Sequence, residues 1–157
     1  MDHTAVAPRL APIVDEAARP FFEAGAQGQL RYQLCAHCKT PQLGTLLCEQ
    51  CLAPAPAWRD ASGRGRIHAF VVMHLAYHAA YRSEQGYAAA IVELEEGPRL
   101  PVYIGRLPQE CPSHVGQEVS IDFELGEGGV AIPVARPVYD RGTEPAAKGF
   151  PSGVEGE

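Results

Sequence analysis

Four of the five cysteines stand in two C-x2-C pairs, Cys35-Ala36-His37-Cys38 and Cys48-Glu49-Gln50-Cys51, with Lys39 to Leu47 between them. Each two-residue gap lets a tight turn aim both sulfurs at one point. Four thiolates then suffice for the tetrahedral shell of a structural Zn2+. With every position taken by sulfur, no open position is left for water or substrate, so the expected role is structural. Iron of the rubredoxin kind is the chemical alternative, because it accepts the same four thiolates. A pair of disulfides would need an oxidising compartment, and the N-terminus carries no secretory pattern. The expected compartment is therefore the cytoplasm. His37 lies inside the first pair, but with four cysteines at hand it reads as a surface residue.

Other reactive groups form no comparable pattern. Cys111 is the one cysteine left over, in Gln109-Glu110-Cys111-Pro112-Ser113-His114. A nucleophilic thiol needs a base beside it, and a histidine three positions on is weak support, since sequence neighbours rarely form such pairs. His74 and His78 have helical i, i+4 spacing but lack the further ligands of a metal site. Gly126 to Gly129 reads as a hairpin turn rather than a phosphate loop. Glu93, Glu95 and Glu96 fall at a strand end and turn, where charge is solvated.

The chain of 157 residues holds 13 Lys and Arg against 19 Asp and Glu, a net charge of -6. That balance argues against a nucleic-acid backbone binder, which needs clustered positive charge. No apolar run approaches the ~20 residues of a membrane helix.

Around the cysteines, the pattern predicts short elements separated by turns. Residues 1–29 read as an arm, ordered only if something holds it, followed by a helix from about Asp15 or Arg19 to Gln27. Pro20 suits the helix's first turn and Gly28 its stop. Phe21 and Phe22 offer an apolar face, either for core packing or for a partner. Residues 30–57 read as the ribbon, with Leu30 to Leu34 alternating as its first strand and Gln42 to Leu47 returning. Pro54-Ala55-Pro56-Ala57 reads as a stiff link, with Trp58 packing between the ribbon and the second module.

Residues 58–137 read as five strands: Arg66 to Met73, Tyr87 to Leu94, Leu100 to Ile104, Val119 to Leu125 and Val130 to Val134. The predicted fold is mainly β: an N-terminal helix, a rubredoxin-like zinc ribbon and a five-stranded oligonucleotide/oligosaccharide-binding (OB) barrel. The stretch His74 to Gly86 breaks the strand pattern and carries Tyr77, His78, Tyr81 and Arg82, residues suited to a contact surface. Residues 138–157 have no periodicity and read as a flexible tail.

These residues together resemble the zinc-ribbon/OB-fold acyl-CoA-associated family long labelled domain of unknown function thirty-five. The likeness runs from about Arg19 to about Pro137. It rests on Leu30-Arg31-Tyr32-Gln33-Leu34-Cys35-Ala36-His37-Cys38 and Leu47-Cys48-Glu49-Gln50-Cys51. It continues through Trp58, Ala61-Ser62-Gly63-Arg64-Gly65, Ile91 to Leu100 and His114-Val115-Gly116-Gln117-Glu118-Val119. Some members have lost the cysteines; this chain keeps all four.

The resemblance implies a non-catalytic subunit that joins a thiolase-like enzyme, in a two-plus-two assembly, and helps form the passage for acyl-CoA. The partner would supply the nucleophilic cysteine for carbon–carbon cleavage or acyl transfer. CoA contacts, if this chain makes them, are expected from Tyr77, His78, Tyr81 and Arg82, where the Arg82 guanidinium suits phosphate or adenine. Two other classes stand beside this reading: a single-stranded nucleic-acid module and an independent thiol enzyme using Cys111.

Overall fold

The structure is a computed structural model and describes residues 9–54, 56–75, 87–106 and 114–138. It begins with one short helix, α1 (Arg19–Gly25), whose first turn contains Pro20. The Asp15 carboxylate accepts the Ala18 N–H at 2.8 Å just before it. Gly28 takes φ +76° and turns the chain out. The Gly28 N–H bonds the Gly25 carbonyl and the Gln29 N–H the Ala24 carbonyl, at 2.9 and 3.0 Å. This is the left-handed glycine stop, which satisfies carbonyls the helix leaves open.

Three strands make the ribbon sheet: β1 (Arg31–Leu34), β2 (Pro41–Gln42) and β3 (Ala57–Asp60), in the order β2-β1-β3. Both neighbours run antiparallel to β1. The stretch read as a stiff link therefore runs into a strand, and Ala57 already pairs with Leu34. Trp58 on β3 packs against the barrel core, the junction role expected of it.

Five further strands close a barrel: β4 (Arg64–Met73), β5 (Tyr87–Leu94), β6 (Arg99–Arg106), β7 (Glu118–Leu125) and β8 (Ala131–Pro137). Their order is β4-β5-β6-β8-β7, sealed by pairing of β4 with β7. All contacts are antiparallel except β6 with β8. This is the five-stranded OB topology that the strand count predicts.

Alternation explains the barrel's inside. Ala88, Ala90, Val92 and Leu94 of β5 are buried, as are Leu100, Val102 and Ile104 of β6. The period of two puts each set on one face. Gly65 pairs on both sides, with Leu94 and Val119. A Cβ there would lie 2.5 Å from Val92 Cγ1 and 2.6 Å from the Glu93 carbonyl oxygen. Only glycine lets the sheet close at that point.

The helix covers one end of this core. Phe21 is buried with Leu30 in the barrel's cluster, and its ring meets Phe123 edge-on at 5.9 Å. Phe22 is half-buried and packs on the same cluster. Of the two readings of this aromatic pair, core packing is the one observed. Gly25 lets the helix sit close, since a Cβ there would meet the Phe123 ring at 2.5 Å.

Candidate metal centre

The two C-x2-C turns are built alike. The Cys35 N–H bonds the Thr40 carbonyl (3.0 Å) and the Lys39 N–H returns to the Cys35 carbonyl (3.1 Å). In the second turn the Cys48 N–H bonds the Ala53 carbonyl (2.8 Å) and the Leu52 N–H returns to Cys48 (2.9 Å). Lys39 and Leu52, each directly after its second cysteine, take φ +61° and +58°. They are the two described non-glycine residues at positive φ, a conformation costing an L residue about 1–2 kcal/mol. The strain falls at matched positions because each knuckle must double back sharply there. No residue-type signal marks those positions, so sequence reasoning missed them.

The two turns bring the four sulfurs together. All lie within 4.8 Å of one another, with Cys35 Sγ to Cys51 Sγ at 3.6 Å and Cys38 Sγ to Cys48 Sγ at 3.4 Å. These separations are too long for disulfides, and all four thiols are free. They match the edge of a tetrahedron built on a metal–sulfur bond of about 2.3 Å. Cys35 and Cys48 are buried, while Cys38 and Cys51 are partly exposed. His37 is exposed, in keeping with its reading as a surface residue.

Electrostatics point the same way. The Cys38 backbone N–H, helped by that of His37, holds Cys35 below the usual thiol range. The Thr40 hydroxyl, 3.1 Å from Cys38 Sγ, and the Thr40 backbone N–H favour the thiolate and hold Cys38 at about 6. At Cys51 the Ala53 backbone N–H acts in the same sense, but burial and the other three sulfurs outweigh it and push the thiol up to about 12. Part of the cluster is poised to ionise and part resists a further negative charge. A cation at the centre removes that conflict.

The expected return strand from Gln42 to Leu47 is not formed. Strand β2 stops at Gln42, and Gly44 takes φ +59°. Two buried glutamines hold the loop instead. Gln33 exchanges two bonds with the Thr45 backbone: Nε2 to the carbonyl at 3.0 Å, and the Thr45 N–H to Oε1 at 2.9 Å. Gln42 Nε2 donates to the Leu47 carbonyl (3.1 Å), and its Oε1 accepts the Glu49 N–H (3.2 Å). Side-chain amides thus take the place of a strand partner and deliver Cys48 to the site.

Among the remaining expected residues, Tyr77, His78, Tyr81, Arg82 and Cys111 lie outside the described residues, as does the tail beyond Val138. Glu93 is not simply solvated. It pairs with Arg99 at 3.2 Å and faces His68 Nδ1 at 3.7 Å. Glu96 accepts the Ser62 N–H at 2.6 Å, tying the β5–β6 turn to the approach of β4. No helix among the described residues is long and apolar enough to cross a membrane.

Residues 58–124 match the family described as the C-terminal OB-fold domain of ChsH2. Over 81% of its length the chain superposes on a chain of the solved Ltp2-ChsH2(DUF35) aldolase, covering 98% of that chain. The TM-score is 0.69 and the identity 31%. The chain belongs to the DUF35 family. A DUF35 protein from Sulfolobus solfataricus shares the fold, with a TM-score of 0.54 at 15% identity over 78% of this chain and 87% of that one. A probable enoyl-CoA hydratase alpha subunit from Thermomonospora curvata is 32% identical over 128 residues. That match takes in 80% of this chain but only 39% of the relative, so this DUF35 chain spans about two fifths of its length.

Proposed function

We propose that this DUF35 chain is a non-catalytic subunit of an acyl-CoA complex whose thiolase-like partner cleaves or forms the carbon–carbon bond. The observation that carries this reading is the 31% identity, along 98% of its length, to a chain of the Ltp2-ChsH2(DUF35) aldolase. The metal is read as Zn2+, held by Cys35, Cys38, Cys48 and Cys51. With four thiolates bound it supplies rigidity and no reaction step.

An apolar surface on the second knuckle supports a protein partner. Leu46, Leu47 and Leu52 stand 68%, 49% and 71% exposed on one hairpin. Nearby apolar side chains left in water mark contact surfaces. On this reading the ribbon's tip docks on the catalytic subunit, in a two-plus-two assembly in the cytoplasm. Tyr77, His78, Tyr81 and Arg82 are then the residues proposed to reach acyl-CoA.

A second reading of the partner has its own basis. The Thermomonospora curvata relative bears the name probable enoyl-CoA hydratase alpha subunit and extends well beyond the matched region. One experiment separates the two: purify the tagged chain from its native host and identify stoichiometric partners by mass spectrometry. A thiolase-like chain supports the first reading and a hydratase-like chain the second. Recovery of the DUF35 chain alone, or with nucleic acid, contradicts both. Given a thiolase-like partner, Arg82→Glu should raise KM for acyl-CoA while leaving the assembly intact. An unchanged KM removes Arg82 from the proposed contact.

A further inference from the structure

An OB barrel binds ligands on its second and third strands, beside the turn joining the fourth and fifth. Here that face is made by β5, β6 and the turn 126–130. It is already occupied, by the chain's own N-terminal arm. The Arg9 guanidinium lies over the Tyr103 ring, 3.6 Å from its centroid, and is ion-paired with Glu124. Tyr87 stacks beside Tyr103 at 6.0 Å, with ring planes 26° apart. Arg136 bonds both Glu124 Oε1 and Asp122 Oδ2 at 3.0 Å and so fixes the carboxylate that faces Arg9.

The backbone of the arm is seated as well. The Arg9 carbonyl accepts the Glu127 N–H at 2.8 Å. Gly126 permits that approach, since a Cβ there would lie 3.1 Å from the Arg9 oxygen and 2.5 Å from Ile132 Cδ1. The Arg9 side chain is only 20% exposed although it lies close to the chain's beginning.

We propose that Tyr103 and Glu124 form a guanidinium-binding site on the barrel's ligand face, filled in cis by Arg9, and that its ligand class is an arginine side chain. An aromatic face next to a fixed carboxylate selects a planar cation.

The test uses the full chain carrying Arg9→Ala, followed by NMR during titration with arginine amide, with lysine amide as control. Arginine amide should shift the Tyr103 and Glu124 signals saturably and about tenfold more tightly than in the unmutated chain, where Arg9 competes. Adding Glu124→Gln should abolish the response. No response in a folded Arg9→Ala chain, or an equal response to lysine amide, overturns the proposal. A second measurement leaves Arg9 in place: trypsin cleavage of the Arg9–Leu10 bond. Tyr103→Leu and Glu124→Gln should each speed it about tenfold by loosening the arm. Cleavage at the original rate in both variants, with the barrel folded, would also overturn it.

Discussion

Strands β5 and β6 alone bury seven apolar side chains between Ala88 and Ile104, whereas the described ribbon from Arg31 to Pro54 buries two, both cysteines. The other buried side chains in that ribbon stretch are Gln33 and Gln42, both spent on holding backbone. The barrel is thus stabilised by area removed from water. The ribbon is a frame of hydrogen bonds and strained turns around four sulfurs, and it depends on whatever those sulfurs bind. The difference separates a module that rests on its own apolar core from one that rests on its sulfur cluster.

The largest effect should come from breaking the sulfur cluster. Structural zinc contributes roughly 10–16 kcal/mol of apparent binding free energy in small modules. Cys48→Ser should therefore abolish stoichiometric metal, measured by elemental analysis. It should collapse the ribbon's NMR signals while those of β4 to β8 persist. Loss of the barrel signals in the same step would show that the two modules are not independent in this way.

The complementary break lies in the barrel. Ile67 is 1% exposed in its core, and Ile67→Ala should cost about 2–5 kcal/mol of stability. Denaturant unfolding would measure that loss, and metal content per chain should stay unchanged. A fall in metal content would tie the cluster to the barrel core.

Gln42→Ala probes the ribbon's frame without touching a sulfur. It leaves the Glu49 N–H without its partner and takes from the Leu47 carbonyl one of its two donors, the other being the Thr45 hydroxyl, a loss of about 1–3 kcal/mol. The expected sign is faster metal transfer to a chelator at unchanged stoichiometry. An unchanged transfer rate would mean that the loop holds its shape without the glutamine.

The smallest effect is conformational. Leu52→Gly relieves a positive φ, and the greater freedom of glycine in the unfolded chain offsets much of the gain, so Tm of the metal-loaded protein should change little. Leu52→Val, β-branched at the same φ, should lower Tm. Equal Tm values for the two variants would argue that the strain is not there.

How far the sequence foretold this arrangement splits along the same line between barrel and ribbon. Alternation in Tyr87 to Leu94 and Val119 to Leu125 made the barrel strands legible, because a half-buried strand repeats its environment every two residues. The cysteine spacing made the cluster legible for a comparable local reason. Gln42 to Leu47 reads as a strand because it is rich in leucine. It is held by the side chains of Gln33 and Gln42 and, at Leu47, by a single bridge to Pro54, and a side-chain clamp leaves no periodic trace. Strand β3 was hidden by Pro54 and Pro56, which mark a linker in any local reading. The seat of Arg9 depends on Tyr103 and Glu124, roughly a hundred residues away, and no local pattern announces it.

On the proposed reading the chain serves a catalytic partner without contributing the reacting group. Reconstitution of the purified partner with this chain carrying Cys111→Ser tests it most directly, with acyl-CoA turnover as the readout. The expected kcat is the same as with the unmutated chain, and turnover should be lost when the partner's own nucleophile is replaced. If turnover disappeared with Cys111→Ser while complex and fold were intact, the reacting thiol would belong to this chain, contradicting that claim.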